Sequence, residues 1–377
     1  VTYPELTLLG PEHRLVARGR RAVLPATSGA LAPAHVRQLL REHDLVVGAL
    51  PFDPAHPAAL VVPETVTWDV PRATGVPTEA DVPPVPADPD YVAAVHAALR
   101  GIDAGLITKI VLARTLDLEA DVDVDVDAVV AELDRRTSRG YAFGADVDDG
   151  HLLGSSPELL VSVRDGVLRS QPMAGSTPRR EDPDEDLAAR DRLLASAKDL
   201  AEHRLVVDAM RTALAPHVVR LDVPEHPDVV ATPHLWHLAT TITGQVRSGV
   251  TSLDLASALH PTPAVGGVPT ARAVDLVRIL EPVERGFYSG LVGWVDARGD
   301  GEWVIALRCG LVRGRTVRAY AGAGVVAGST ATAEQAETAV KLRTFLSALG
   351  VVPGLRPVDV VPGLRAARDA DLAGVGA

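Results

Sequence analysis

Apolar residues in this chain come in short runs, residues 15–17, 45–50, 59–62 and 107–113 among them, each of strand length and none near the ~20 residues of a membrane-spanning helix. The core must therefore be assembled from many short segments. With 47% of its 377 residues hydrophobic, the chain has ample material for that core, and its length allows one large domain or two to three ordinary ones. No charged-then-apolar leader opens it, so a soluble globular protein with neither membrane span nor signal peptide is expected.

Organisation changes near residue 88. Residues 1–75 mix strand-like runs with one helical pattern at 33–41, and residues 76–89, rich in proline and acid, read as an extended surface connector. From Asp90 the chain is periodic: Val92, Val95 and Leu99 share one helical face, and the run 107–113 reads as a strand containing Lys109. Aspartate and valine alternate over 120–127, but without the glycine turn of a calcium loop, so this stretch is expected to lead into and cap a helix over 128–136. VVPGLR occurs at 351–356 and again at 360–365; two copies are too few for a solenoid and read as a tail.

The net charge of -12 and the absence of a basic stripe leave no electrostatic footprint for nucleic acid or an anionic membrane. An anionic substrate would need a locally built pocket. The single cysteine, Cys309, excludes an internal disulfide framework and a thiolate metal cluster, fits a reducing cytoplasm, and reads as a small buried hydrophobe in a strand.

Thirty-seven basic side chains include only three lysines, Lys109, Lys198 and Lys341, each inside a polar motif. Arginine cannot give up its proton in a protein, whereas a lysine can be pushed towards neutrality by desolvation or a neighbouring cation, so a lysine kept in an arginine-preferring chain is a candidate for chemistry. Chance and packing are the plain alternative for any one of them. In "HLLGSSPELLVS" (151–162), Pro157 stiffens a kink that holds Glu158 among apolar residues, where desolvation raises a carboxyl's pKa and makes it an acid at neutral pH. A helix expected over 185–214 places Lys198 and Glu202 four apart on one face, beside Asp199 and His203. The segment "TAEQAETAVKLRTFL" (332–346) repeats the arrangement with Glu334, Glu337 and Lys341 on one stripe. Two helices that each offer a carboxylate suit a partly hydrated Mg²⁺ that also grips a substrate carboxylate, while zinc fits poorly because neither helix pairs histidines or cysteines at ligand spacing.

Together with "ITKIVLAR" (107–114), "QPMAGSTPRR" (171–180), "LWHLATTITGQV" (235–246), "LHPTPAVGGVP" (259–269), "LEPVERGFYSGLVGWVD" (280–296), "GEWVIALRCG" (301–310) and "AGAGVVAGST" (321–330), these blocks resemble the chorismate-utilising enzymes from about Asp90 to Gly350. The resemblance implies an α+β fold: a single large chorismate-binding domain of two packed antiparallel sheets flanked by helices, with a central cleft. Residues 1–88 would be a divergent part of that same domain, 89–350 the catalytic core and 351–377 a C-terminal tail.

Members of the family differ in what they do to chorismate. Lys109 stands where the ammonia-using relatives usually carry glutamine or another group without a usable base, which implies water as nucleophile. Ala174 occupies the place of a nucleophilic lysine in many aminodeoxychorismate synthases, closing that covalent route. Ala264 replaces the threonine typical of anthranilate and salicylate synthases, so pyruvate loss should be weak. What remains resembles the isochorismate-forming branch, which moves a hydroxyl from C4 to C2 of the ring. On that likeness Lys109, neutral in the resting site, is the base for water and Glu158 the acid for the departing hydroxyl, which asks the lysine to come down from ~10.4, and the glutamate up from ~4.3, by roughly two to three units. Glu202 and Glu337 would hold Mg²⁺, with Asp199 and Glu334 in outer or water-mediated contacts. Arg308 and Lys341 would bind the enolpyruvyl carboxylate with amides of a Gly322 and Gly324 turn. His260 beside its glycine and proline turn is a candidate for positioning the ring, or a structural histidine. His203 and His237 are weaker candidates that would brace the metal helix, and Glu281 with Arg285 reads as a structural pair.

Salicylate synthase and an ammonia-using component I remain alternatives, the first recognisable by pyruvate release and the second by a glutaminase partner. A chorismate-binding module without catalysis would need neither Lys109 nor Glu158. A cytoplasmic monomer with no obligatory glutaminase subunit is expected. Its product could feed menaquinone, a catecholate siderophore or salicylate, with "LWHLAT" closer to the siderophore type.

Overall fold

The computed structural model describes residues 3–25, 28–78, 82–147, 150–232 and 235–358. Seventeen of its strands hydrogen-bond into one antiparallel ribbon. From one edge the order is Val218–Asp222, Ile242–Val246, Val167–Ser170, Leu159–Arg164, Gly301–Ile305, Leu291–Asp296 and Leu45–Leu50. It continues through Ala59–Trp68, Arg14–Val23, Leu6–Leu9, Tyr141–Val147, Gly150–Ser156, Cys309–Arg313, Thr316–Val326 and Lys109–Glu119. The short strands Gly267–Val268 and Arg356–Pro357 close the far edge.

The ribbon folds back so that its halves face each other as two sheets. Val292, Trp294, Val304 and Leu159 from one half share a core with Phe143, Leu152, Cys309 and Tyr320 from the other. Side chains alternate across each strand, so Trp303 and Ile305, on either side of Val304, point outward to the helices Ala197–Leu214 and Ser252–Leu259. On the opposite outer face Leu153, Val312 and Ala319 pack against the helices Val126–Arg136 and Ala331–Leu346. The result is the α+β arrangement of two packed antiparallel sheets with helices outside. The strands between Leu6 and Trp68 form the joint between the two sheets.

Local chemistry accounts for the element boundaries. The Asp125 carboxylate accepts from Ala128 N and starts the helix Val126–Arg136, so the aspartate–valine stretch ends in a cap, two residues before the expected start. The single helix expected over 185–214 is in fact two, Pro183–Ala195 and Ala197–Leu214. Ser196 sits between them in extended backbone with its hydroxyl accepting from Asp199 N, because a serine side chain that caps the following turn competes with continuing the previous one. The second VVPGLR copy lies outside the described residues. Among the described residues no helix is long and apolar enough to cross a membrane.

Candidate active site

The two sheets exchange chain at one end of the sandwich, and the chemistry collects there. Glu158 lies where the chain leaves Gly150–Ser156 in one sheet for Leu159–Arg164 in the other, and Arg308 lies in the return crossing from Gly301–Ile305 to Cys309–Arg313. The crossings run side by side: Ser155 N donates to Arg308 O at 3.1 Å and Ile305 N donates to Glu158 O at 3.2 Å. Arg308 holds φ at 49°, a left-handed conformation that costs a non-glycine residue on the order of 1 kcal/mol and that the crossing imposes.

A cavity of about 220 Å³ opens beside these crossings. Lys109, first residue of its strand, forms the floor with Gly322 and Gly324 of the neighbouring strand. Glu202, Asp199 and Lys198 come from the helix Ala197–Leu214, and Glu334, Glu337 and Lys341 from Ala331–Leu346. A three-stranded sheet, Met173–Pro178, Leu235–Ala239 and Asp228–Ala231, adds Ala174, Ser176 and His237. Of the residues singled out from sequence, Lys109, Glu158, Glu202, Glu337, Asp199, Glu334, Arg308, Lys341, Gly322, Gly324 and Ala264 all line this one cavity.

Several sequence expectations need correction. Lys109 forms an ion pair with Glu202 at 2.8 Å, so Glu202 meets a distant strand residue and not Lys198, its neighbour on the helix. Gly324 leaves room for the pair: a Cβ there would come within 2.8 Å of Glu202 Oε1 and 3.3 Å of Lys109 Cε, so a larger residue would make the two side chains shift. Gly322 and Gly324 are strand residues, not a turn, and the Gly322 carbonyl accepts from Lys341 Nζ at 2.9 Å. Lys341 also pairs with Glu337 at 2.5 Å. His260 is not among the lining residues; it is half-buried, with Nε2 against the carbonyls of Pro51 and Phe52. His237 lines the cavity instead, with a buried Nε2 that has no hydrogen-bond partner among the described residues. The alternation of its strand aims His237 and Leu235 the same way, a signal available in "LWHLAT" but weaker than a glycine–proline turn. Tyr288, Ser289 and Tyr320 also line the cavity and had no sequence signal beyond their motifs.

Electrostatics divides the groups. Burial raises the Glu158 carboxyl to about 7, against the opposing pull of the Met173 amide at 3.3 Å and of Lys109. Burial would raise Glu202 as well, but Lys109 and Lys341 outweigh it and hold that carboxylate below its usual range. Glu334 is pushed up by burial and by the neighbouring charge of Glu337. Burial lowers His237 well below the usual value and takes His203, between Ala174 O and Thr240 Oγ1, down to about 4. Arg308 is 9% exposed and has no carboxylate partner among the described residues, and its Nε is unbonded. A buried guanidinium without a carboxylate partner has the chemistry to hold an anion.

Outside the cavity, Arg285 is a structural tie: its guanidinium meets Glu281 at 2.6 Å with both side chains buried, and it also donates to Val265 O and Val111 O. Arg114 donates to Thr338 Oγ1, Gln335 O and Pro86 O, fastening the helix that carries Glu334, Glu337 and Lys341 to the connector.

The sequence pattern of chorismate binding enzymes matches residues 75–350. This chain belongs to that family. It is 42% identical over 370 residues to isochorismate synthase DhbC of Bacillus subtilis, covering 91% of this chain and 93% of that one. Isochorismate synthase EntC of Escherichia coli K12 is 38% identical over 324 residues, 82% of each chain. A crystal structure of DhbC from Bacillus anthracis superposes with a TM-score of 0.87 at 39% identity, over 93% of this chain and 97% of that one. The matched residues 75–350 include every residue named above as lining the cavity.

Proposed function

We propose that this protein is an isochorismate synthase, converting chorismate to isochorismate. The observation that carries the reading is the pairing, in one cavity of a chain with isochorismate synthases as relatives, of a buried lysine with a carboxyl raised to about 7. Lys109, in its neutral form, takes a proton from the water that attacks C2; the ring double bond shifts, the C4–O bond breaks, and Glu158 supplies the proton with which the hydroxyl leaves as water. One water enters and one departs, so the ring is isomerised without change of oxidation state. Arg308 and Lys341 take the enolpyruvyl carboxylate, Arg308 by a two-pronged grip and Lys341 as a point charge.

The donor set also fits Mg²⁺. Glu202 and Glu337 come from two helices, Asp199 and Glu334 stand beside them, and the repulsion that raises Glu334 is relieved by a cation. Among the described residues no group of three or more potential ligands is preassembled. Bound there, Mg²⁺ would neutralise and orient the ring carboxylate. Each proposed ligand is already paired with a lysine, Glu202 with Lys109 and Glu337 with Lys341. Glu202→Gln and Glu337→Gln are each expected to raise the Mg²⁺ needed for half-maximal rate at least about tenfold. A titration superimposable on the parent's removes that residue from the metal site. We further read the protein as a cytoplasmic monomer that works without a glutaminase subunit.

Incubation with chorismate and Mg²⁺ followed by separation of products tests the reading: isochorismate is expected, and salicylate with pyruvate, or an aminated product with ammonium, would replace it with one of the rival activities. Ala264 lines the cavity and is half-buried, its amide bonded to Thr262 Oγ1 at 3.2 Å. Ala264→Thr is expected to increase pyruvate release from isochorismate severalfold in a coupled assay, because a hydroxyl there can hold the substrate in a geometry from which the enolpyruvyl group departs. No gain in pyruvate would show that this position does not set the outcome.

A further inference from the structure

Behind Arg308 lies a second cavity of about 290 Å³. It shares Arg308 and Pro157 with the catalytic cavity, and its other walls include Arg135, Arg136, Arg139 and Leu235. No carboxylate is among its described lining residues. The nearest balance is Glu132, which pairs with both Arg135 at 2.8 Å and Arg136 at 2.7 Å, so one carboxylate answers two guanidiniums. Arg139 is exposed and has no ion-pair partner among the described residues, and Arg308 is buried with an unbonded Nε. A basic pocket is out of character for this chain. The net charge of -12 repels a dianion at long range, and a local excess of guanidiniums over carboxylates around one opening is what reverses that repulsion locally.

We infer that this second cavity is a capture site for the dicarboxylate substrate class, an anion-binding vestibule whose guanidiniums draw the dianion in and pass its carboxylate to Arg308. The cavity is of the same order of size as the catalytic one, about 290 against 220 Å³. Its walls are otherwise apolar or hydroxyl-bearing, Leu133, Leu235, Pro77, Thr344 and Ser347 among them, which suits a carbocycle bearing two carboxylates. The inference rests on the isochorismate synthase reading for the identity of the dianion. The cationic asymmetry stands without it.

Arg139 gives the clean test, since it is exposed, has no ion-pair partner among the described residues and does not line the catalytic cavity. Arg139→Glu is expected to lower kcat/KM for chorismate about tenfold at low ionic strength, with the loss carried by KM. The deficit should shrink to less than twofold at 0.5 M salt, where the Debye length falls to about 4 Å, and Arg139→Lys should stay close to the parent. A merely structural defect would not disappear with salt. The inference is overturned if Arg139→Glu stays within twofold of the parent at low salt, or if its deficit is the same at high salt. If the parent itself fails to form isochorismate, the functional reading falls instead, and the same charge and salt criteria are then applied to chorismate affinity measured by calorimetry.

Discussion

Lys109→Arg is expected to lower turnover by about 10² to 10⁴, the usual contribution of a positioned base, while chorismate binding stays within a few-fold of the parent. A guanidinium keeps a positive charge beside Glu202 and cannot surrender its proton, so the variant retains the ion pair and lacks the neutral form that acts as the base. The site is tight, because Lys109 is 1% exposed and its Cε passes over Gly324. A thermal melt must therefore accompany the kinetics, and Lys109→Gln, shorter and neutral, should lose the same turnover without overpacking. Initial rates and calorimetric titration with chorismate decide the matter. Retention of more than about a tenth of the parent rate would remove Lys109 as the base.

Glu158→Gln is expected to cost a comparable factor, on the order of 10² to 10⁴ in kcat, because the amide has the shape of the acid but no proton to deliver. Its pH behaviour is the more specific sign. With the free enzyme's Glu158 titrating near 7, kcat/KM of the parent should fall as pH rises above about 7, and that limb should be missing from the glutamine variant. Stability moves with the same proton. The folded pKa lies above the ordinary value of 4.5, so the native state binds the proton more tightly than the unfolded chain. The stabilisation is complete below about 4.5 and is lost as pH rises to about 7. Glu158→Gln should therefore raise Tm relative to the parent at pH 8 more than at pH 5. An identical difference at both pH values would show that this carboxyl does not titrate in the folded protein.

Much of the machinery is legible in the amino-acid sequence alone. Lys109 and Lys341 stand out by scarcity, Glu158 by its proline kink, and Glu202 and Glu337 by helical spacing, because each signal depends only on neighbours within a turn of helix or one strand. The break at Ser196 is legible too, in principle, since a serine followed by Asp199 three residues on is a cap as well as a helix interior. Helical periodicity on both sides conceals it.

The amino-acid order by itself determined the alternation that sends Val304 inward between Trp303 and Ile305, the caps at Asp125 and Thr330, and the family to which the cavity belongs. These are short-range or pattern properties, carried by one segment at a time. Only the tertiary structure decided who meets whom. That Lys109 pairs with Glu202 instead of Lys198, that Lys341 reaches Gly322, that His237 faces the cavity while His260 turns to Pro51 and Phe52, and that Arg308 is left unpaired between two cavities are all contacts between segments far apart in the chain. They follow from where two sheets exchange strands, and a crossing of that kind leaves no mark on the local sequence that makes it. The energy that places Glu158 near neutrality is desolvation by the whole fold, which no neighbouring residue encodes.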